Sequence, residues 1–402
     1  MKIAIIGAGA SGMAAAITAA RSGSNQVLLF ERQARVGRKL AATGNGRCNM
    51  TNRRTNPSRY HGTNSDFVRP VLEAFPPDTV LSFFETLGLY TVTEQDGKVY
   101  PYSDQANSVV DVLRFGLNRN NIQLIAGTEI IRVKKNASGF QIKASDGQHW
   151  DTDRMIIACG GAAGTKLGGG FSGYQLLRSL GHHCTKLAPS LVQLKTDPCL
   201  VQGLKGVRAN AGLKLKVNDT LLAEASGEVQ FTDYGISGPA VFEISRAAAT
   251  SDETVLHLNF LPAYRSEDLL SALCIRISRF PALEVGDLLT GIIHNRLGKM
   301  LVKACGIPLS LPLTSLSWEQ LNMVVGICHD LVLPILGNMG MDGAQVTAGG
   351  IVTQEFDPNT LQSRIVPGLY ACGEVLDVDG DCGGFNLQWA WASGMQAGQL
   401  KG

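Results

Sequence analysis

The stretch Lys2–Glu31, KIAIIGAGASGMAAAITAARSGSNQVLLFE, constrains this chain more than any other. A short apolar run, Ile3 to Ile6, stops at Gly7-Ala8-Gly9-Ala10-Ser11-Gly12, a small-residue segment follows, and a second apolar run, Val27 to Phe30, ends in Glu31. That order reads as strand, glycine turn, helix and strand. Gly7 permits the tight turn, Gly9 lets the backbone approach a pyrophosphate, and Gly12 with Ala14, Ala15 and Ala16 lets the helix lie close on the sheet. Phosphates then meet the free N–H groups at the helix start, where Ala10 and Ser11 stand and the dipole is positive. Glu31 follows Gly12 by nineteen residues. Its carboxylate is placed to accept hydrogen bonds from an adenosine ribose, each contributing roughly 1.5–3 kcal/mol. The same acid would repel a 2′-phosphate, so NADP is disfavoured at this site, while FAD and NAD are not separated.

At 402 residues the chain calls for two or three domains. Lys and Arg (36) nearly balance Asp and Glu (34), so no global field points to nucleic acid or an anionic membrane, and small molecules are the expected partners. Nine Cys without a CxxC pair argue against a zinc site, a redox dithiol motif and a secreted disulfide framework, which places the chain in the cytoplasm. No apolar stretch has membrane-spanning length, since the nearest candidate, Leu321 to Leu336, is broken by His329, Asp330 and Pro334. The apolar start runs straight into the glycine turn and reads as a buried strand, not as a signal sequence.

After Glu31 comes RQARVGRKLAATGNGRCNMTN, which packs Arg32, Arg35, Arg38, Lys39 and Arg47 around Gly37, Gly44 and Gly46, with Asn45, Asn49 and Asn52 interleaved. A solvated basic loop needs neither the glycines nor the asparagines. A loop that wraps the far half of a dinucleotide needs both.

The segment KLAATGNGRCNMTN resembles the signature of the bacterial YhiN-type, BaiN-like flavoproteins. The resemblance implies FAD, with Arg38 and Lys39 near the phosphates, Arg32 beside them, and Gly44, Asn45, Arg47, Cys48 and Asn49 close to the isoalloxazine. It also implies adenine contact through the backbone of Ile131. Met155-Ile-Ile-Ala-Cys-Gly-Gly161 resembles the ATG-like segment of FAD domains, which brings Ala158, Gly160 and Gly161 near the flavin. Near the end, GLYACGEVLDVDGDCGGFNLQWAWASG reads almost continuously as the family's C-terminal motif and implies Gly373, Glu374, Asp381, Phe385, Asn386 and Leu387 at the cofactor. There a helix start near Gly384 would favour the anionic N1–C2=O edge of reduced flavin. Gln230 to Pro239 resembles the family's FTHxGxSGP, with Asp233 where His is expected.

Between these landmarks, helices are expected on both sides of Pro76-Pro77 and over Ser108–Leu117, after a G-x-V-x-P-x-S-D turn at Gly97 to Asp104. Tyr100 and Tyr102 on that turn could stack on a ligand, although packed aromatics are the commoner case. Gln123 to Val133, Phe140 to Ala144 and Trp150 read as strands of an inserted meander. The glycine run to Gly173 lacks a following strand ending in an acid, so NADH or NADPH has no Rossmann module of its own here. Short strands from Leu191 to Leu261 suggest a β-barrel-like insert, followed by helices over Glu267–Phe280, Val285–Cys305 and Trp318–Leu331. His294 and His329 lie in those helices and are assigned no chemistry.

The expected fold is α/β: a discontinuous FAD-binding Rossmann-like domain of the two-dinucleotide-binding class, residues 1–188 and 342–402. A β-barrel-like insert (189–262) and a helical insert (263–341) stand between. The expected function is hydride transfer between FAD and a small organic substrate, with reduction of an enone C=C by NADH or NADPH in view. No catalytic acid or base, no metal and no oligomeric state is assigned. The alternatives are a flavoprotein of RNA modification, a flavin-binding protein without turnover, and a minor flavin–dithiol reading on Cys48, Cys159, Cys372 and Cys382.

Overall fold

A computed structural model describes residues 1–119 and 121–401. The chain divides into two compact units, Met1–Pro189 with Gln345–Gly402, and Ser190–Ala344.

The first unit is built on a five-stranded sheet in the order Leu369–Ala371, Arg154–Ile157, Lys2–Ile6, Gln26–Glu31 and Ile122–Ala126. Every neighbouring pair is parallel. Parallel strands are covered on both faces, which is why these segments read as continuous apolar runs. Ile3, Ile5, Leu29 and Ile156 are wholly buried, each such side chain contributing about 1.5–3 kcal/mol. The helix Ala10–Ala20 lies on this sheet, and the helix Phe385–Gly398 packs on it through glycines. A Cβ at Gly394 would stand 2.3 Å from Ser11 O, and one at Gly398 2.6 Å from Ala15 O. Only glycine allows that approach.

Two expectations change here. The run Gln123 to Val133 is not one strand: Ile122–Ala126 belongs to the parallel sheet and Ile130–Asn136 to a separate antiparallel meander with Gly139–Ala144 and His149–Thr152. The chain turns at Gly127 (φ 70°), whose N–H donates to Gln33 O at 3.0 Å. The expected helix Val285–Cys305 is also two pieces, a 3-10 turn Val285–Asp287 and a helix Asn295–Ala304. Gly291 (φ 80°) interrupts it, and His294 caps the second piece, its Nδ1 accepting from Arg296 N at 3.3 Å.

In the second unit, Arg208–Val217 and Thr220–Phe231 form a long hairpin whose turn residues Asn218 and Asp219 both have positive φ, 46° and 64°. Five shorter strands complete an antiparallel sheet. Leu331–Pro334 pairs with Val255–Asn259, and Gly337–Asn338, two residues on, pairs with Leu194–Lys195, so one extended run joins both edges and the sheet curls on itself. Leu213, Val229 and Leu256 from the strands share one core with Leu273, Leu301 and Val324 from the helices. No packing boundary falls between residues 262 and 263. The helix Trp318–His329 opens on the capping box that its sequence predicts, Gln320 N donating to Ser317 Oγ and Ser317 N to Gln320 Oε1.

Candidate functional site: two uncapped helix starts in the first unit

Gly7 has φ 104°, and a Cβ there would lie 2.4 Å from Ala158 O, so the turn closes only with glycine. At Gly12 a Cβ would meet Gly7 O at 1.8 Å. Gly9 differs: its φ is −80°, and a Cβ would meet nothing within 4 Å. The space before it is open. No side chain caps the helix that begins at Ala10, so the amides of Ala10, Ser11 and Gly12 face that space as donors. This is a cradle that fits a pyrophosphate.

Glu31 is held by backbone: Oε2 accepts from Ala8 N at 2.9 Å and Oε1 from Gln33 N at 2.8 Å. Each oxygen keeps lone-pair capacity for a ribose hydroxyl. Thr128 N donates to Glu31 O, which brings the next segment alongside. In the meander that follows, the ladder passes from Ile130↔Ala144 to Arg132↔Lys143, so Ile131 is the residue it skips, half-exposed.

The cationic residues expected at the phosphates are occupied within the protein. Arg32 donates to Gly168 O at 2.5 Å and Gly169 O at 3.1 Å. Arg38 reaches Gln33 Oε1 at 3.2 Å in an exposed position. Lys39 Nζ lies 2.9 Å from Glu374 Oε2, and Glu374 Oε1 accepts from Thr347 N at 2.8 Å. Thr347 Oγ1 in turn accepts from Ala163 N, and a Cβ at Gly161 would strike Glu374 Oε1 at 2.3 Å. Ala158 is buried, while Gly160 (φ 72°) borders open space.

The second helix start is Gly384, in the left-handed region at φ 101° and again without a side-chain cap. A Cβ there would meet Thr51 O at 2.6 Å and Asn49 Oδ1 at 2.7 Å. Asn49 is buried and its Oδ1 has no hydrogen-bond partner among the described residues, a cost of about 1–3 kcal/mol unless a ligand donor meets it. The turn before it runs through Gly44, Asn45 and Gly46 at φ 56°, 56° and 86°, and Cys48 at 61°. An orphaned acceptor beside a positive helix end fits the N–H and anionic carbonyl edge of a flavin ring.

Other expected contacts also have partners within the protein. Arg47 is clamped by Glu94 at 2.8 Å and Asp104 at 2.5 Å, stacked 4.0 Å from the Tyr100 ring centre. Asp381 binds His61 Nε2 at 2.7 Å and Arg59 at 3.2 Å. Asn386 pins its own loop, accepting from Gly380 N and donating to Gly380 O and Asp381 O. Gly373 (φ 76°) donates to Ser393 Oγ and accepts from Trp389 Nε1. Phe385 is buried with its carbonyl on Tyr60 Oη, and Leu387 is half-buried. Burial pushes the thiols of Cys48, Cys159 and Cys372 up to about 12, so all three stay protonated and none is a ready nucleophile. Asp233, in the second unit, is exposed and paired with Lys205 at 2.8 Å.

The sequence reading missed the belt of Thr51, Gln388, Tyr60 and Thr63. Thr51 Oγ1 donates to Gln388 Oε1 at 2.6 Å, 337 residues away, and Thr63 donates to Asp377 Oδ2 through both N and Oγ1. The alternation Asp377, Asp379, Asp381 was the signal that a short strand faces this loop; the strand is Tyr60–His61.

Residues 1–400 match the family described as HI0933-like protein Rossmann domain. The chain is 42% identical to the 3-dehydro-bile acid delta(4,6)-reductase of Clostridium scindens over 99% of this chain and 98% of that protein. It is 30% identical to the ribosomal RNA dihydrouridine synthase of Escherichia coli over 98% and 96% of the two chains. In fold it is similar to an open flavocytochrome c3 fumarate reductase, with a TM-score of 0.51 and 14% identity, over 99% of this chain and 77% of that one. The chain belongs to the HI0933-like family.

Proposed function

We propose that this chain is an FAD-dependent oxidoreductase that reduces a carbon–carbon double bond conjugated to a carbonyl on a small organic substrate, with NADH or NADPH as electron donor. The observation that carries the reading is the pair of uncapped helix starts in one unit, Gly9 before open space and Gly384 beside the unpartnered Asn49 Oδ1. One suits a diphosphate and the other the polar edge of a flavin. When bound, FAD supplies two-electron hydride chemistry. The chain's own part is to hold the dinucleotide by backbone amides and Glu31, and to keep the cysteines nearby unreactive. Of the chain's relatives, one is named a delta(4,6)-reductase and another a dihydrouridine synthase, names that each describe a reduction, which supports the reading.

Anaerobic titration with NADH and then NADPH tests this. A flavin spectrum that bleaches, and that a steroid dienone but not air rapidly restores, supports the reading. No flavin band after added FAD would sink it.

A second reading, RNA modification, has its own observation. On the exposed face of the meander Arg132 stands opposite Lys143 and Lys143 opposite His149, with Lys134 beside them. None of the four has an ion-pair partner among the described residues. Like charges placed directly opposite are unfavourable without an anion. Retention of a ribosomal RNA fragment that falls steeply with salt, and is lost in Lys143→Glu, would move the substrate assignment to RNA.

A further inference from the structure

Tyr100 lies on the strand Lys98–Pro101, on the same face as Lys98 two residues before it. That face borders the second helix start. A Cβ at Gly44 would meet Tyr100 Cε1 at 3.8 Å, and one at Gly383, next to Gly384, would meet Lys98 Cε at 3.5 Å. The ring is fixed: it is 7% exposed, and the Arg47 guanidinium covers it, itself held by Glu94 and Asp104.

Its hydroxyl is not committed. Tyr60 Oη donates to Phe385 O and Tyr370 Oη to Lys401 O, each at 3.1 Å, whereas Tyr100 Oη makes no hydrogen bond among the described residues. Among the described residues the hydroxyl is not one of the buried polar atoms left without a partner, so the immobilised ring carries an O–H that is open to water or to a ligand. Burial pushes the phenol above its usual range and Glu94 acts the same way, while Lys98 and Arg47 oppose them. The group is thus a neutral acid at pH 7 whose conjugate base would have two cations beside it.

We propose that Tyr100 is the proton donor of the reaction, delivering its phenolic proton to the α carbon of the conjugated carbonyl substrate. This rests on the reductase reading and names the acid that reading lacks. The reduced nicotinamide nucleotide provides two electrons and one proton, which arrive as hydride at the β carbon and break the π bond. The electron pair left at the α carbon takes the proton of Tyr100, and the phenolate takes one from water. The sum is substrate, NAD(P)H and a proton giving saturated carbonyl and NAD(P)+. The assignment holds for a steroid enone and for a uracil ring alike, since both need that second proton.

The test compares wild type, Tyr100→Phe and the exposed neighbour Tyr102→Phe, all loaded with FAD. Tyr100→Phe keeps the ring under Arg47, so FAD affinity, followed by flavin fluorescence, and the rate of bleaching by NAD(P)H should stay within twofold of wild type. Enone reduction should fall at least 30-fold, about 2 kcal/mol, with Tyr102→Phe unchanged. With a nitroalkene, whose reduced anion is stable without a proton at carbon, Tyr100→Phe should react at the wild-type rate and accumulate the nitronate. Titrating the flavin-free chain near 295 nm adds a readout independent of turnover: the wild-type minus Tyr100→Phe difference should show a phenol that ionises later than free tyrosine. Full enone reduction by Tyr100→Phe, or a Tyr100 phenol already ionised at pH 7, overturns the assignment alone. A wild-type chain that takes up FAD and is bleached by NAD(P)H yet reduces no enone overturns the reductase reading, and the assignment with it.

Discussion

The two helix starts of the first unit look alike and are made in opposite ways. At Gly9 the strand, the turn, the helix and the acid lie within thirty residues, and the only demand on Gly9 is empty space in front of it. At Gly384 the helix start is closed in by Thr51 and Asn49, from the far end of the chain, and the backbone itself is left-handed. The first is a local motif and the second a long-range assembly. A substitution at the first should therefore touch the ligand and spare the fold, and at the second it should touch the fold first.

The largest expected effect follows from that contrast. Gly384→Ala forces a Cβ into contact with Thr51 O and Asn49 Oδ1 at a φ of 101°, and should destabilise the chain by about 2–4 kcal/mol. Urea denaturation of the flavin-free protein measures it. Gly9→Ala meets no protein atom at an ordinary φ, so its stability should stay within about 0.5 kcal/mol of wild type. FAD affinity should nonetheless fall at least about tenfold, roughly 1.4 kcal/mol, because the new methyl occupies the ligand's space. Equal destabilisation by the two substitutions, before any FAD is added, would end the distinction. A smaller sharpening comes from Cys48→Ala. With its thiol protonated and buried, that variant should keep the wild-type rate of flavin bleaching by NAD(P)H while losing some stability.

The same contrast explains what the sequence disclosed. The parallel strands and the glycine turn are legible because their causes are adjacent residues: continuous apolar runs, then glycines where a Cβ collides. Side-chain partners are not, because they depend on residues hundreds of positions away. Lys39, expected at the phosphates, also pairs with Glu374, and Arg47, expected at the ring, also pairs with Glu94 and Asp104. Asp381, expected at the cofactor, also binds Arg59 and His61. The broken helix around Gly291 misleads for a different reason. Leu288, just after one piece, and Leu297 and Leu301 on the other are all buried in one core, so the apolar stripe persists while the helix does not.

A second long-range assembly in the first unit should reveal itself through pH. His182 Nδ1 lies 2.8 Å from Glu355 Oε2 and its Nε2 3.0 Å from Ser363 Oγ, with Phe356 stacked on the ring and His183 on the other carboxylate oxygen. Burial pushes the His182 imidazole below its usual range, against the pull of Glu355. The unfolded chain therefore takes up this proton first, and stability falls as pH drops below about 6.5 toward the folded value. Burial also pushes the Glu355 carboxyl up, but the bonds from His183 and His182 outweigh it and hold it below its usual range. Its contribution is complete above the ordinary carboxylate range, about 4.3, and is lost as pH falls through the lower folded value. The two windows have the same sign and separate positions. Replacing His182 with Gln should flatten the loss of stability between pH 7.5 and 5.5 while leaving the steeper loss below pH 4.5. Should the slope above pH 5.5 persist in His182→Gln, this contact is not what the unit loses on mild acidification, and the long-range class reduces to the belt around Gly384.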